Sequence, residues 1–196
     1  MSANNYFIVY KPFMVLCQFT SEDEKKTLAD FFSLPPGVYP VGRLDYDSEG
    51  LLILTDDKKL NALLLSPQYK HEREYYVQVE GEIIRAAIEE LCNGVKIKIK
   101  SGNYFTKKCS VEKIKTPNVT ERVPPVRFRK TVPDSWIKII LTEGKNRQVR
   151  KMTASVGYPT LRLIRNRIEL ISLHSMQPGE LKKLSQQELY NLLKIK

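Results

Sequence analysis

Two segments of the chain combine polar residue types that could do chemistry. The first, residues 42–50, reads Gly-Arg-Leu-Asp-Tyr-Asp-Ser-Glu-Gly and precedes an apolar run. It places Arg43, Asp45 and Asp47 in a loop next to a predicted strand, where a carboxylate can act in catalysis. An acidic turn, in which Asp47 and Ser48 bond to the local backbone, explains the same pattern and is preferred on spacing alone.

The second segment, residues 141–152, reads Leu-Thr-Glu-Gly-Lys-Asn-Arg-Gln-Val-Arg-Lys-Met. A predicted strand ends here, a glycine turn follows, and a predicted helix begins among four cations, Lys145, Arg147, Arg150 and Lys151. Cations at a helix N-terminus suit a phosphate or a carboxylate. A basic surface turn explains the segment about equally well.

Charge is distributed unevenly along the chain. The formal net charge is +10, but residues 1–100 hold 12 basic and 15 acidic side chains, whereas residues 101–196 hold 20 and 7. The excess is concentrated in four stretches: 107–115, 122–130, 145–151 and 162–167. A solvated face is one explanation. A segregated excess of this size, interleaved with aromatic residues and prolines, favours a polyanionic partner, RNA or DNA.

Other classes of function lack a sequence signal. The three cysteines, Cys17, Cys92 and Cys109, form no Cys-x-x-Cys, and His71 and His174 are the two histidines. Neither a disulfide framework nor a zinc site is therefore expected, and no nucleotide-binding motif is present. No apolar run is long enough to span a membrane, and no signal peptide or basic amphipathic helix is visible. We expect a cytoplasmic protein that needs no metal and no cofactor.

Predicted strands and helices, which must position these residues, alternate irregularly along the chain. This order predicts the α+β class with a mixed sheet. Strands are predicted over 6–10, 15–19, 51–55, 75–79, 95–99, 110–114 and 136–141, and an extended segment over 161–173. Helices are predicted over 28–32, from Asp56 or Asp57 to about 66, over 83–91 and 146–155, and after a capping box that begins at Ser185. An exposed basic loop is predicted over 116–132.

The two chemical segments resemble motifs of the RsuA/RluB/RluE/RluF family of ribosomal RNA pseudouridine synthases. Further resemblance lies in four places: residues 6–12, Arg-Glu-Tyr-Tyr-Val at 73–77, residues 159–165, and Gly-Glu at 179–180. The resemblance covers nearly the whole chain. Phe-Met after Lys11-Pro12, together with Pro-Pro-Val-Arg-Phe-Arg-Lys at 124–130, looks most like the RluE branch, which acts on large-subunit rRNA.

The resemblance implies a fold and a set of roles. The fold would be one catalytic domain over 1–196, with a mainly antiparallel sheet, flanking helices and two lobes around a central cleft, without an N-terminal S4 domain. Asp45 would be the essential aspartate, Tyr75 the aromatic residue that stacks on the target base, and Arg150 the cation that pairs with the aspartate. Arg43 would occupy the space that the extruded nucleotide leaves. The expected RNA contacts are these residues: Arg43, Arg127, Arg129, Lys130, Lys145, Asn146, Arg147, Gln148 and Lys151.

The resemblance also implies the reaction, the conversion of a uridine in rRNA to pseudouridine by an isomerase. A monomer is expected, because the sequence shows no heptad repeat and no large exposed apolar stripe. The uracil must leave the base stack, at a cost of a few kcal/mol, and stacking on Tyr75 would return about 1–3 kcal/mol. Asp45 would act as an anion, by attack on the sugar or the base or by removal of a sugar proton.

Two alternatives have different sequence requirements. A catalytically silent rRNA-binding or assembly protein would not need Asp45, Tyr75 and Arg150 together. A hydrolase would need two carboxylates, and Asp45 and Asp47 lie too close for inverting geometry.

Overall fold

The computed structural model describes residues 4–21, 24–127, 131–174 and 176–195. It confirms the α+β class, and seven strand pairs among the described residues are antiparallel. The strands are β1 (Tyr6–Lys11), β2 (Tyr39–Pro40), β3 (Glu49–Thr55), β4 (Arg73–Glu80), β5 (Lys96–Ile99), β6 (Gly102–Phe105), β7 (Ser110–Ile114), β8 (Asp134–Leu141), β9 (Thr160–Ile168), β10 (Ile171–Ser172) and β11 (Leu181–Leu184). The helices are α1 (Lys58–Leu65), α2 (Arg85–Asn93), α3 (Gln148–Ser155) and α4 (Gln186–Leu192), with short 3₁₀ turns at Leu28–Asp30 and Pro67–Tyr69.

The chain divides into two compact units. Unit 1 comprises residues up to His71 and those from Arg165 onward, and unit 2 is the continuous segment Glu72–Ile164. The expectation of two lobes around a central cleft stays a prediction.

Unit 1 is built on β1, which pairs with β11 on one side and with β3 on the other. Every residue of β1 and β3 is buried. Both strands therefore read as nearly continuous apolar runs rather than as alternating ones. A hydrophobic core on this sheet includes Val9, Leu28, Phe32, Leu52 and Leu54.

A buried carboxylate ties the C-terminal helix of unit 1 to its N-terminal strand. Asp57 is 6% exposed, and one of its oxygens caps α1 by accepting from the backbone N–H groups of Lys59 and Leu60. The other oxygen accepts from the hydroxyls of Tyr6 at 2.9 Å and Tyr190 at 2.7 Å. Burial alone would raise the Asp57 pKa, but these hydrogen bonds outweigh it and hold the pKa below its usual range.

Asp57→Ala is expected to lower the free energy of unfolding by about 3 kcal/mol, because it removes a helix cap and the acceptor of two tyrosine hydroxyls. The folded-state pKa is depressed, so this stabilisation is present above the usual Asp range near 3.8 and is lost as pH falls through the folded pKa. Urea unfolding at pH 7 and in steps toward pH 3 measures both effects. Asp57→Asn is the control: it keeps the cap and should flatten the pH dependence. Equal pH profiles for Asp57→Asn and wild type would contradict the assignment.

Unit 2 places β8 between β4 and β7, and β5 pairs with β6 in a separate two-stranded hairpin. Its core includes Val77 from β4, Leu91 from α2, Ile97 from β5, Ile139 from β8 and Met152 from α3. One cluster thus holds the sheet, the hairpin and both helices of this unit, including the helix that carries Arg150.

Two predicted elements differ from the structure, and a strand of unit 2 was missed. Residues 15–19 form no strand, because the Leu16 N–H and the Gln18 carbonyl bond to Lys26 and Leu28 in a loop. Strand β6 was not predicted. The extended segment 161–173 is interrupted at Glu169, whose φ of +49° turns the chain between β9 and β10.

Strands β2 and β11 and the 3₁₀ turn at Pro67–Tyr69 were not predicted either, and the helix predicted over 28–32 is a 3₁₀ turn at Leu28–Asp30. The other elements were predicted within a few residues. The described part of the 116–132 loop contains neither helix nor strand, and Phe128, Arg129 and Lys130 lie outside the described residues. Across the described ranges, no helix has the length and apolar character needed to cross a membrane. Within those ranges we also find no group of three or more His, Cys, Asp or Glu side chains that could hold a metal ion.

Candidate active site

The loop that carries Asp45 is held in unit 1 by contacts on both sides of the aspartate. Leu44 is buried, and its backbone N–H donates to the Cys17 sulfur at 3.2 Å. The Tyr46 carbonyl accepts from Met14 N–H at 2.9 Å, and the Asp45 carbonyl accepts from Ser48 N–H at 3.0 Å. Asp45 itself is half-buried. The backbone that carries this side chain is therefore held in place, while the carboxylate remains partly accessible to a substrate, as a reacting group must be.

Gly50 lies at the start of β3, directly after the Asp45 loop. There is no room for a side chain at this position. The φ of Gly50 is +117°, and a Cβ atom would lie 2.4 Å from the Arg165 carbonyl oxygen. Arg165 is itself fixed against β3, because its Nε donates to the Leu51 carbonyl at 2.7 Å. The glycine thus permits close approach of two backbone segments beside the Asp45 loop.

Gly50→Ala is expected to lower the free energy of unfolding by about 4 kcal/mol or more, since backbone strain adds to a backbone clash. Gly102→Ala is a matched control, because Gly102 has the same φ of +117° but no atom within 4 Å of the added Cβ. That control should cost only the strain, about 1–3 kcal/mol. Chemical denaturation of both variants measures the difference; equal losses would show that the close approach does not matter.

Lys11 was assigned to a motif by sequence reasoning but received no role, and the structure buries it completely. Its ammonium donates to the carbonyls of Pro12 and Val15, each at 2.8 Å, and so shapes the turn that follows β1. Burial lowers the Lys11 pKa to about 8. Nearby acidic groups oppose this shift: Cys17, Glu49, Asp47 and Asp45. A buried positive charge thus acts on the loop that carries Asp45.

Tyr75 lies near the start of β4 in unit 2, opposite Ile139 of β8. It shares the strand face of Val77 and Val79, which are fully buried, and it packs against the core of this unit while remaining half-buried. A partly exposed ring on a rigid strand suits the stacking of a base. Tyr76 is also half-buried and lies on the opposite face of the strand, across from Lys138.

Arg150 lies in the first turn of α3 and is half-buried. The preceding loop is organised around Glu143, which is 8% exposed. One Glu143 oxygen accepts from the Tyr104 hydroxyl at 2.5 Å, and the other accepts from Lys107 N–H at 3.0 Å and from the Gln148 amide at 2.6 Å. The hydrogen bond from Tyr104 to this carboxylate raises the tyrosine pKa to about 12.

The predicted RNA contacts differ in their exposure. Five are exposed: Arg43, Arg127, Lys145, Asn146 and Arg147. Lys151 is half-buried, and Arg129 and Lys130 lie outside the described residues. Gln148 is 3% exposed, and its amide binds the Glu143 carboxylate and the Lys145 backbone N–H. The structure therefore gives Gln148 a positioning contact within the loop, which its sequence neighbours did not indicate.

Comparison with known proteins identifies one family model, described as RNA pseudouridylate synthase, over residues 5–155. Ribosomal large subunit pseudouridine synthase E of Xanthomonas campestris pv. campestris is 49% identical over 88% of this chain and 91% of that protein. The enzyme of the same name from Vibrio vulnificus is 45% identical over 94% of this chain and 77% of that protein. A crystal structure described as pseudouridylate synthase matches with a TM-score of 0.78 and 26% identity, covering 98% of this chain and 75% of that one.

Proposed function

The chain belongs to the RNA pseudouridylate synthase family, and from that membership we propose that it converts a uridine of large-subunit ribosomal RNA to pseudouridine. The observation that carries the proposal is the 49% identity, over about nine-tenths of both chains, to a relative named for the large ribosomal subunit. The excess of 20 basic over 7 acidic side chains in residues 101–196 suits a polyanionic substrate of this kind.

The proposed reaction is an isomerisation that consumes no second substrate. The bond between uracil N1 and ribose C1′ breaks, the base rotates, and a bond forms between C5 and C1′. The proton displaced from C5 is balanced by the proton that N1 gains. Because the base cannot rotate within a stack, the uridine must first be extruded, at a cost of a few kcal/mol. The enzyme must therefore bind a flipped base, start the cleavage and hold the RNA on either side.

Three side chains are proposed to carry these tasks. Asp45 is the anionic carboxylate that starts the reaction, and its backbone is held by the contacts of Leu44 and Ser48. Tyr75 stacks on the extruded uracil, and Arg150 is the cation that orients the aspartate. Arg150 extends from a helix whose preceding loop is braced by the hydrogen bonds of Glu143.

We propose one catalytic domain over residues 1–196, since the family match at 5–155 runs through residues of both units. We also propose that the protein acts as a monomer. Bound rRNA would contact the exposed cations Arg43, Arg127, Lys145 and Arg147. An rRNA substrate favours a cytoplasmic location. The proposed isomerisation needs no metal and no cofactor.

Pseudouridine mapping tests the proposal directly. Large-subunit rRNA from cells that lack the protein should have lost pseudouridine at one site, as read by chemical modification and primer-extension stops. The purified chain should restore that site on transcribed rRNA. An unchanged pseudouridine pattern in those cells, together with no product in vitro, would refute the activity and favour an rRNA-binding protein on the same fold.

A further inference from the structure

The β5–β6 hairpin of unit 2 has one face that the proposed active site does not use. In its register Lys96 lies opposite Phe105, and Lys98 lies opposite Asn103. All four are exposed, and the Phe105 side chain is 65% exposed, one of the largest values for an apolar residue among the described ones. We call these four residues the hairpin face.

The opposite side of the hairpin is anchored in the protein. Ile97 is 3% exposed and belongs to the core of unit 2, where Val149 and Met152 of α3 also lie. Tyr104 donates its hydroxyl to Glu143, and the Lys145 ammonium lies 4.8 Å from the centre of the Tyr104 ring. The hairpin is therefore fixed to the basic loop that precedes Arg150, and its outward face is rigid.

The charged side chains of the sequence segment that contains the β5–β6 hairpin are all positive. Residues 91–111 contain five lysines and no aspartate or glutamate. All five are exposed: Lys96, Lys98, Lys100, Lys107 and Lys108. Lysine is depleted at protein–protein interfaces, whereas lysines beside an exposed aromatic ring suit a nucleic-acid backbone and an unstacked base. Charge and residue type thus favour RNA over a protein as the partner.

We propose that the hairpin face is a second RNA-binding surface, on which Lys96 and Lys98 contact phosphates and Phe105 stacks on an unpaired base. The inference rests on the proposed function, since it takes rRNA as the ligand. It adds a surface outside the target uridine through which the enzyme holds a neighbouring part of the same RNA. Its lysines supply affinity and its aromatic ring selects a segment that is not fully base-paired.

The test measures the binding of the full chain to transcribed, protein-free large-subunit rRNA at several salt concentrations. The double variant Lys96→Glu/Lys98→Glu should raise the Kd about 10-fold or more, and the slope of log affinity against log salt should shrink by about 1.4. The control Lys58→Glu/Lys59→Glu makes the same charge change on exposed residues of α1 and should leave the slope close to that of wild type.

Phe105 is tested separately. Phe105→Leu keeps apolar bulk but loses the flat ring, so the Kd should rise about 5-fold or more, whereas Phe105→Tyr should bind as wild type does. The proposal is overturned if the lysine variant and its control bind alike. It is also overturned if the hairpin variants weaken binding only to assembled subunits, which would indicate a protein partner. Pseudouridine formation by the wild-type chain is measured in parallel, so that failure of the hairpin proposal is distinguished from failure of the proposed function.

Discussion

Asp45→Asn is expected to abolish pseudouridine formation while leaving the protein folded and able to bind RNA. Asparagine is nearly isosteric with aspartate but carries no negative charge, so it cannot act as an anionic catalyst. The backbone bonds that hold the loop, from Leu44 to Cys17 and from Ser48 to residue 45, do not involve this side chain. The melting temperature should therefore stay within error of wild type, and the rRNA Kd should change by no more than a few-fold.

Asp47→Asn is the matched control for that experiment. Asp47 is also half-buried, lies two residues away, and contributes to the same negative field on Lys11. We expect Asp47→Asn to retain turnover within about 10-fold of wild type, because no step of the proposed reaction uses the Asp47 carboxylate. Product should be measured by mass spectrometry of digested rRNA after long incubation. Turnover by Asp45→Asn at even about a hundredth of the wild-type rate would assign the chemistry to another residue.

Tyr75→Leu is expected to lower kcat/KM for rRNA about 100-fold or more. Leucine fills the space against Val77 and Ile139 but offers no ring on which an extruded uracil can stack. Stacking is worth about 1–3 kcal/mol per base, and misplacement of the base adds to the loss in the chemical step. Single-turnover measurements with excess enzyme separate this chemical step from binding.

Two variants define what Tyr75 contributes. Tyr75→Phe keeps the stacking face and is expected to keep RNA affinity, so a slower chemical step would report a proton handled by the hydroxyl. Tyr76→Leu is the control on the opposite face of β4, across from Lys138, and should retain turnover. If Tyr75→Phe and Tyr75→Leu both react at the wild-type rate, Tyr75 is an ordinary core residue.

Sequence patterns predicted six strands to within two residues, both strands that are buried throughout, such as β1 and β3, and one that is largely exposed, β7. β1 and β3 are buried throughout, so their apolar runs were easy to identify. β6 was not predicted because Gly-Asn-Tyr-Phe contains little strand signal, and its pairing depends on β5 across a two-residue connection between Ile99 and Gly102. Residues 15–19 show the converse. Their composition favours a strand, but their backbone groups bond to a loop instead.

In the candidate site, too, short motifs pointed to some residues, but the contacts of others depend on the fold. Asp45, Tyr75 and Arg150 are proposed as site residues through motif resemblance, whereas no local pattern indicated that Lys11 would be completely buried. Gln148 was grouped with its cationic neighbours, yet its amide binds a carboxylate five positions earlier. A side chain's partner depends on the folded backbone, and a sequence pattern carries that information only when the partner lies at a regular spacing.

The discontinuity of unit 1 governs the order in which this protein can fold during synthesis. Translation adds about 5–20 residues per second, so β1 and β3 emerge on the order of ten seconds before residues 165–195. Until then β1 lacks its edge partner β11, and Asp57 lacks the hydroxyl of Tyr190, which lies 133 positions later. Unit 2 is continuous and meets no such delay. The nascent chain therefore carries an unpaired apolar strand edge through most of its synthesis, and this edge exposes unit 1 to aggregation for longer than unit 2.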